Sequence, residues 1–579
     1  MIDLSVIATS TPVLMFLLGA IAVCLVPVNT VRLAITLAVP LASLYWIWNL
    51  GIGEFLQIPL MGIELELMRV DKLSKIFGLI FSFAAFICAL YAWHVRDVVQ
   101  QVATLLYAGA AIGAVFAGDL VSLFVYWEVT ALASVFLIWA RRTTGAYATG
   151  MRYLIIQIGS GVLLIGGIAL HYRATGSIAF DSLTGDGPQS WSLGVWLIFF
   201  AFGIKCAFPF LHNWLQDSYP AATVTGTVTL SAFTTKMAVY CFARAFPQTE
   251  MLIYIGAAMT LFPIFFAEIE NDLRKVLAYS LNNQLGFMIV GVGVGTEMAL
   301  NGTAAHAFAH IIYKALLFMS VGAVLYRTGT SRAKELGGLY RTMPITMVLC
   351  VVGAASISAF PLFSGFVAKS LILDGTAEKH YPIIWGILVF ASAGVLSHSG
   401  IKIPFFTFFH HDSGKRPKEA PLHMLLAMGL AAAACLYIGI FPAHFYQLLP
   451  YETINKAYDA GHILAQLQLL LFAFLAFALL MRYKQFPAET NTVNLDFDWI
   501  YRKAAPAIVG LVAALISTIF SELARGTRYC VNGFLAGIFS FYGPQGRAAR
   551  ELPTGTMVLW LAILLGAALA INLLSLGGV

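Results

Sequence analysis

The sequence predicts an all-α polytopic membrane protein. Three observations carry that prediction. Of 579 residues, 60% are apolar and only 11% charged, against about 45–50% and about 25% in ordinary soluble domains. The mean hydropathy is +0.84. The apolar residues also come in runs of about 20, the length a helical crossing needs, joined by short polar connections. This composition argues against a soluble enzyme, a nucleic-acid binder or a disordered regulator. The formal charge of +6 is small for the length, and Lys and Arg fall mostly between the apolar runs, as membrane topology requires.

In order along the chain, candidate spans lie near 6–27, 30–50, 72–94, 98–117, 119–140, 151–170, 191–211, 224–246, 251–268, 276–295, 303–326, 343–373, 381–409, 421–441, 463–481 and 555–576. That gives about 16 crossings. The first is no cleavable leader, because Asp3 is its only preceding charge and no basic region opens it. Residues 51–70 (GIGEFLQIPLMGIELELMRV) alternate in character and read as a small extramembrane hairpin. Residues 504–521 are apolar enough to span. The following stretch carries Glu522, Arg525, Arg528, Arg547 and Arg550, so the segment also fits a helix lying along the surface. Numbering the loops by side puts most Lys and Arg, including Arg141, Arg274, Lys275, Lys334 and Lys415, on one face. That face is expected to be cytoplasmic, with the N-terminus outside. The charge count favours the flat reading of 504–521.

Seven cysteines are scattered, with no C-x-x-C pair. They read as small buried hydrophobes, and disulfide, zinc or iron–sulfur ligation has no support. GVGVG at 291–295 ends a helix rather than following a strand, so it fails as a nucleotide loop.

The informative residues are ionisable groups inside the spans, each costing about 2.5–3.5 kcal/mol at mid-bilayer on insertion scales. They are Glu128, Lys205, Lys236, His306, His310, Lys314 and Lys369, with Lys402 nearer a span end. Glu128 lies between Asp119 and Arg141, near the membrane centre at 1.5 Å per residue. Lys205 precedes Pro209, which removes a backbone donor and obstructs the carbonyl of residue 205, so the helix is expected to break there. Lys236 follows Thr227, Thr229, Ser231, Thr234 and Thr235, whose hydroxyls either order water or serve close helix packing. His306, His310 and Lys314 fall at i, i+4 and i+8 on one face. His-x-x-x-His lacks further ligands nearby in sequence, so proton relay is favoured over metal. Lys369 follows Pro361 and Gly365, which mark a second broken span. The structural alternative for each is a charge paired for packing or a lysine snorkelling to an interface. Two broken helices in corresponding halves suggest an inverted-repeat transporter.

The stretches YWEVTALAS, GIKCAFPFLHNWLQDSYPAATVTG, LSAFTTKMAVY, NDLRKVLAYSLNNQLGFM, HAFAHIIYKALLFMSVGAVL and FPLFSGFVAKSLIL, within residues 70–420, resemble the antiporter-like membrane subunits shared by complex I, membrane-bound hydrogenases and Mrp-type Na+/H+ antiporters. The resemblance implies about 14 core helices built on inverted five-helix repeats with two broken helices, plus C-terminal helices. It divides the chain into N-terminal spans and hairpin (1–70), an antiporter-like core (71–445) and a C-terminal extension (446–579) with a lateral helix and final span. It assigns proton translocation to Glu128, Lys205, Lys236, His306, His310, Lys314 and Lys369. Within the family, WLQDSYPAATVTGTVTLSAFTTK is most similar to the D-type subunits of Mrp antiporters, whereas the long tail is similar to that of the most distal antiporter-like component of complex I. Pro361-Leu362 replaces the usual double proline before the second break.

The implied function is the proton-translocating subunit of a monovalent cation/proton antiporter in a bacterial inner membrane. It would work with other hydrophobic subunits, without cofactor or metal, and as a transporter rather than an enzyme. The alternative is the pumping subunit of a complex I-like oxidoreductase or membrane hydrogenase, and a third reading is a packing scaffold.

Overall fold

The computed structural model describes residues 12–60, 62–453, 457–487, 489–490, 494–551 and 553–576. The opening residues of the expected 6–27 span lie outside them. The described chain divides into two compact units, one ending at Asn494 and one starting at Leu495.

The first unit opens with α1 (Pro12–Leu25) and α2 (Asn29–Asn49). The hairpin β1 (Gly53–Leu60) and β2 (Ile63–Val70) follows, antiparallel from Gly53↔Val70 to Leu60↔Ile63, with irregular register around Leu56. It is tied to the core by Glu66 N–H on Asp119 (2.8 Å) and by Arg69 on the Phe180 carbonyl (2.6 Å). The helices α3 (Lys72–Tyr91), α4 (Val98–Phe116), α5 (Leu120–Trp139) and α6 (Thr144–Thr175) come next. After them α7 (Leu193–Lys205) and α8 (Asn213–Ala221) are the halves of one broken span, followed by α9 (Val224–Ala232) and α10 (Thr234–Ala245). Then come α11 (Glu250–Ile269), α12 (Leu273–Val294), α13 (Glu297–Thr328), and the second broken span, α14 (Pro344–Ile357) and α15 (Ser364–Glu378). The unit closes with α16 (Pro382–Val395), α17 (Leu422–Ile440) and α18 (Ala460–Arg482).

Among the described residues, 12 helices are long and apolar enough to cross a membrane, fewer than the sequence suggests: five expected stretches drop out, and Ile500–Arg550, which the charge count reads as flat, is added. Each difference has a local cause. Breaks divide the stretches 191–211, 224–246 and 343–373 into shorter pieces. α12 is buried along nearly its whole length, but Asn282, Asn283 and Gln284 lower its apolar character. Only the short α1 is described from the first stretch.

The two halves of the core share one backbone plan, displaced by 153 residues. Asp119 caps α5 and Asp272 caps α12. The 32-residue helices α6 and α13 both start on a Thr cap (Thr143, Thr296) and end on a left-handed Gly (Gly176, Gly329). A Cβ at either glycine would oppose that conformation. Isolated bridges Asp119↔Ala179 and Asp272↔Arg332 then hold the return loops. The breaks repeat as well, at an offset of 152 residues, one short of the caps and glycines. Cys206-Ala207-Phe208-Pro209-Phe210 and Ser358-Ala359-Phe360-Pro361-Leu362 place non-glycine residues in the left-handed region at matching positions: Ala207 (φ 61°) with Ala359 (56°), and Phe210 (71°) with Leu362 (74°). The single proline at 361 is therefore enough for the second break.

A third discontinuity, unannounced by any proline, separates α9 from α10 at Phe233, three residues before Lys236. All described cysteines are free, Cys24 and Cys530 being exposed. The second unit holds α19 (Ala505–Tyr542) and α20 (Thr554–Leu576). Its α19 is one unbroken 38-residue helix, about 57 Å long at 1.5 Å per residue and thus far longer than a crossing.

Candidate functional site

Lys205, Lys236, His306, His310, Lys314 and Lys369 are all withdrawn from the surface, five of them completely and Lys369 to 2% exposure. The lysines 205, 236 and 369 lie at or near a helix break, whereas His306, His310 and Lys314 sit in the interior of α13. Lys205 is the last residue of α7, where the coming Pro209 stops the helix. Its Nζ turns to α5 and donates to the Trp127 carbonyl (2.5 Å) and Thr130 Oγ1 (2.8 Å), 4.2 Å over the Trp127 ring. The Ile204 carbonyl at the break accepts from the Ala207 N–H at 3.1 Å and from the Trp214 indole at 2.9 Å. Glu128 is only partly buried. It makes no ion pair with Lys205 within 4.0 Å, and its Oε1 is unpartnered against Gly161, where an added Cβ would collide with it. The two charges remain within interaction range. The structure thus holds this pair open.

Lys236 donates to the Ser231 carbonyl at 2.6 Å. The Phe233 discontinuity leaves that acceptor within reach, and no carboxylate among the described residues pairs with the ammonium. Lys236 lies within electrostatic range of His306, His310 and Lys314, so it joins the two halves. Along α13, His306 Nε2 meets Tyr313 Oη (2.9 Å) and Gln284 Oε1 (3.2 Å). Tyr313 donates to the same Gln284 oxygen at 3.2 Å, and Gln284 donates to Asn283 Oδ1 at 2.6 Å. Among the described residues, neither ring nitrogen of His310 has a protein partner, and neither does Lys314 Nζ. Lys369 reaches back across the second break to the Ile357 carbonyl (2.8 Å) and sits 5.1 Å from the Phe287 ring.

Buried polar groups left without protein partners are costly and are kept where water or a mobile proton meets them. His310 and Lys314 fit that description, and Lys205, Lys236 and Lys369 beside them rest on carbonyls and a hydroxyl rather than on carboxylates. His306 and His310 have ring centroids 6.1 Å apart with near-perpendicular planes. No cluster of three His, Cys, Asp or Glu suited to a metal occurs among the described residues. Sequence reasoning missed Asn283, Gln284 and Tyr313, whose signal was the polar run Asn282-Asn283-Gln284 inside an otherwise apolar helix.

Residues 117–397 match the family described as NADH:quinone oxidoreductase/Mrp antiporter, TM. Over that stretch the chain is similar to the antiporter-like membrane subunits of the Mrp and complex I type. It is 27% identical over 451 residues to the A subunit of the Na+/H+ antiporter of Alkalihalophilus pseudofirmus, covering 70% of this chain and 55% of that one. It is 28% identical over 413 residues to the A/B subunit of a probable K+/H+ antiporter of Rhizobium meliloti, covering 67% and 41%. The chain thus spans about half the length of these curated relatives. Its fold is that of a chain in the Mrp complex from Dietzia (TM-score 0.65, 22% identity, covering 81% of this chain and 97% of that one). It is also that of a chain in an archaeal membrane-bound sulfane sulfur reductase (TM-score 0.69, 23% identity, 96% and 99%). Such antiporter-like subunits are multi-pass membrane components of multisubunit complexes.

Proposed function

We propose that this chain is the proton-translocating subunit of a multisubunit monovalent cation/proton antiporter, and that Glu128, Lys205, Lys236, His306, His310, Lys314 and Lys369 carry the protons. The observation supporting this most directly is the row of fully buried, partner-poor lysines and histidines that runs through both repeats with Lys236 at the junction. A packing scaffold would pair these charges, because an unpaired buried charge is strongly destabilising. Here the lysines rest on carbonyls, hydroxyls and rings. The names of the curated relatives favour cation/proton exchange. The archaeal respiratory neighbour supports the second reading, a pumping arm of a redox complex. The stretch WLQDSYPAATVTGTVTLSAFTTK supports a D-type position in an antiporter, and the relatives' names support an A-type position. In either, the chain would sit in a bacterial inner membrane with its N-terminus outside.

The test is made on the complex purified from native membranes and reconstituted into vesicles. Lys236→Ala is expected to abolish proton movement while the complex still assembles. Transport at the wild-type rate in that variant overturns the proposal. The co-purifying subunits separate the complexes: hydrophobic partners without flavin, nickel or iron indicate an antiporter, and redox partners a pump.

A further inference from the structure

Beyond Lys369, α16 does not finish as a regular helix. It continues through a widened π turn at Leu396–Ile401, a short helical step at Lys402–Pro404, and a second π turn at Phe405–Phe409. Pro404 has no N–H to give the preceding turn, and π turns inside helices concentrate at functional sites. This stretch carries His398 and Lys402, both with no exposed surface. Lys402 is not snorkelling outward. Its Nζ sits on the carboxyl end of α11, accepted by the carbonyls of Glu268 (2.6 Å), Glu270 (2.8 Å) and Ala267 (3.3 Å). The negative end of a helix favours a cation there. The remaining partner is a carboxylate from far along the chain: Glu489 Oε1, 2.9 Å away, in the segment after α18.

Three features set this cluster apart from a purely structural tie. Glu268 Oε2 is buried with no hydrogen-bond partner, within range of both Lys402 and Glu489. His398 shares Nδ1 with Ser399 (2.8 Å), but its Nε2 has no partner. His398 also lies within electrostatic range of Lys314 and Lys369 on one side and Lys402 on the other. Finally, Glu489 forms part of the wall of a surface cavity of about 470 Å³ that is also lined by Lys334, His410, His411 and Lys484. Neighbouring Glu270 is already committed, to Lys275 at 2.9 Å and to the backbone of Asn271 and Asp272.

We propose that His398, Lys402, Glu268 and Glu489 form a proton-exchange branch. It joins the Lys314–Lys369 end of the buried row to solvent at this cavity, with Glu489 as its outermost carrier. The inference rests on the function proposed above. Each step moves one proton between an oxygen or nitrogen acid and the next base, beginning with a proton taken from cavity water, so no other reactant is consumed. Burial pushes the Glu489 carboxyl above its ordinary range while Lys402 pulls it back, a balance suited to a group that loads and unloads. The charged and titratable groups around it are Lys402, Glu268, Glu270, Lys334, Lys484, His410 and His411.

The test measures proton transport per assembled complex against pH in reconstituted vesicles. Glu489→Gln is expected to slow transport by about tenfold or more and to flatten its pH dependence, with Glu489→Asp recovering part of both. Glu268→Gln, which keeps a carbonyl oxygen to accept the hydrogen bond of Ser397, is expected to slow transport likewise. It carries the test if Glu489→Gln fails to assemble. Wild-type rate and pH profile in the assembled variants overturn the branch. So does a loss confined to the amount of complex. Lys236→Ala run alongside separates the two readings: if that variant transports normally the buried row itself fails, whereas an inactive Lys236→Ala with normal Glu489→Gln and Glu268→Gln removes the branch alone.

Discussion

The two repeats have nearly the same backbone and opposite arrangements of charge. At the packed interface of α5 and α6, the first repeat has Glu128 facing Gly161. At the corresponding places on α12 and α13, 153 residues on, the second has Leu281 and Lys314, both fully buried. The charge has moved from one helix to its neighbour and changed sign, while the Asp caps, Thr caps, left-handed glycines and broken spans stayed in register to within one residue. The scaffold is thus specified by capping and turn residues, and the chemistry by single side chains placed on it. Where the first repeat has Gln157 and Tyr153, the second has His310 and His306, which gives the second half the denser titratable row.

Substitutions that touch this asymmetry are ordered by the size of effect expected. Glu128→Gln removes the first repeat's carboxylate near Lys205 and is expected to abolish proton transport in reconstituted vesicles, while Glu128→Asp keeps part of it. Equal activity in Gln and wild type would show that Lys205 works without a counter-charge. Gly161→Ala puts a methyl against Glu128 Oε1 and should slow transport several-fold with assembly intact. An unaffected rate would mean the carboxylate has room to swing away at no cost.

A smaller effect is expected at Asp71, the cap of α3, which belongs to the first half only. Burial alone would raise its carboxyl, but Arg244, 2.5 Å away, and Ser74 hold it below the usual range. A depressed carboxylate gives stability that is present above its unfolded value and lost as pH falls through the folded one. Thermal melting of the complex should therefore weaken below about pH 4, and Asp71→Asn should lower the melting temperature at neutral pH and flatten that acid limb. Smallest of all, Ala207→Gly and Ala359→Gly each relieve a left-handed alanine, worth about 1 kcal/mol before the added chain entropy. Both should leave transport unchanged and shift melting slightly and equally. Unequal shifts would show that the two breaks are strained differently.

The helical membrane fold and the lysines and histidines of the row were legible in the sequence because charge stands out against apolar runs, and prolines 209 and 361 announced the breaks. Three things were not legible. The 153-residue period rests on a few Asp, Thr and Gly positions separated by unrelated apolar fill, with the prolines one residue out of step, so short-period inspection passes over it. The break at Phe233 has no proline or glycine to mark it. Lys402 reads from sequence as a residue near a span end, but it is fully buried because the carboxyl end of α11 and Glu489, 87 positions further on, close over it. Tertiary partners of that kind leave no local trace. The same holds for the direct Glu128–Lys205 contact, whose absence depends on where Lys205 finds its acceptors.

The two breaks also differ in what holds them. At the first, the carbonyl of Ile204 is held by the Ala207 N–H and by an indole that never changes charge. At the second, the carbonyl of Ile357 is fastened by the Lys369 ammonium, and a hydrogen bond from a charged donor is roughly twice as strong as a neutral one. The first joint is therefore held by neutral donors, while the second is held by one whose grip would weaken on losing a proton and strengthen on regaining it; under the proposed function, occupancy by protons is felt there as mechanical slack.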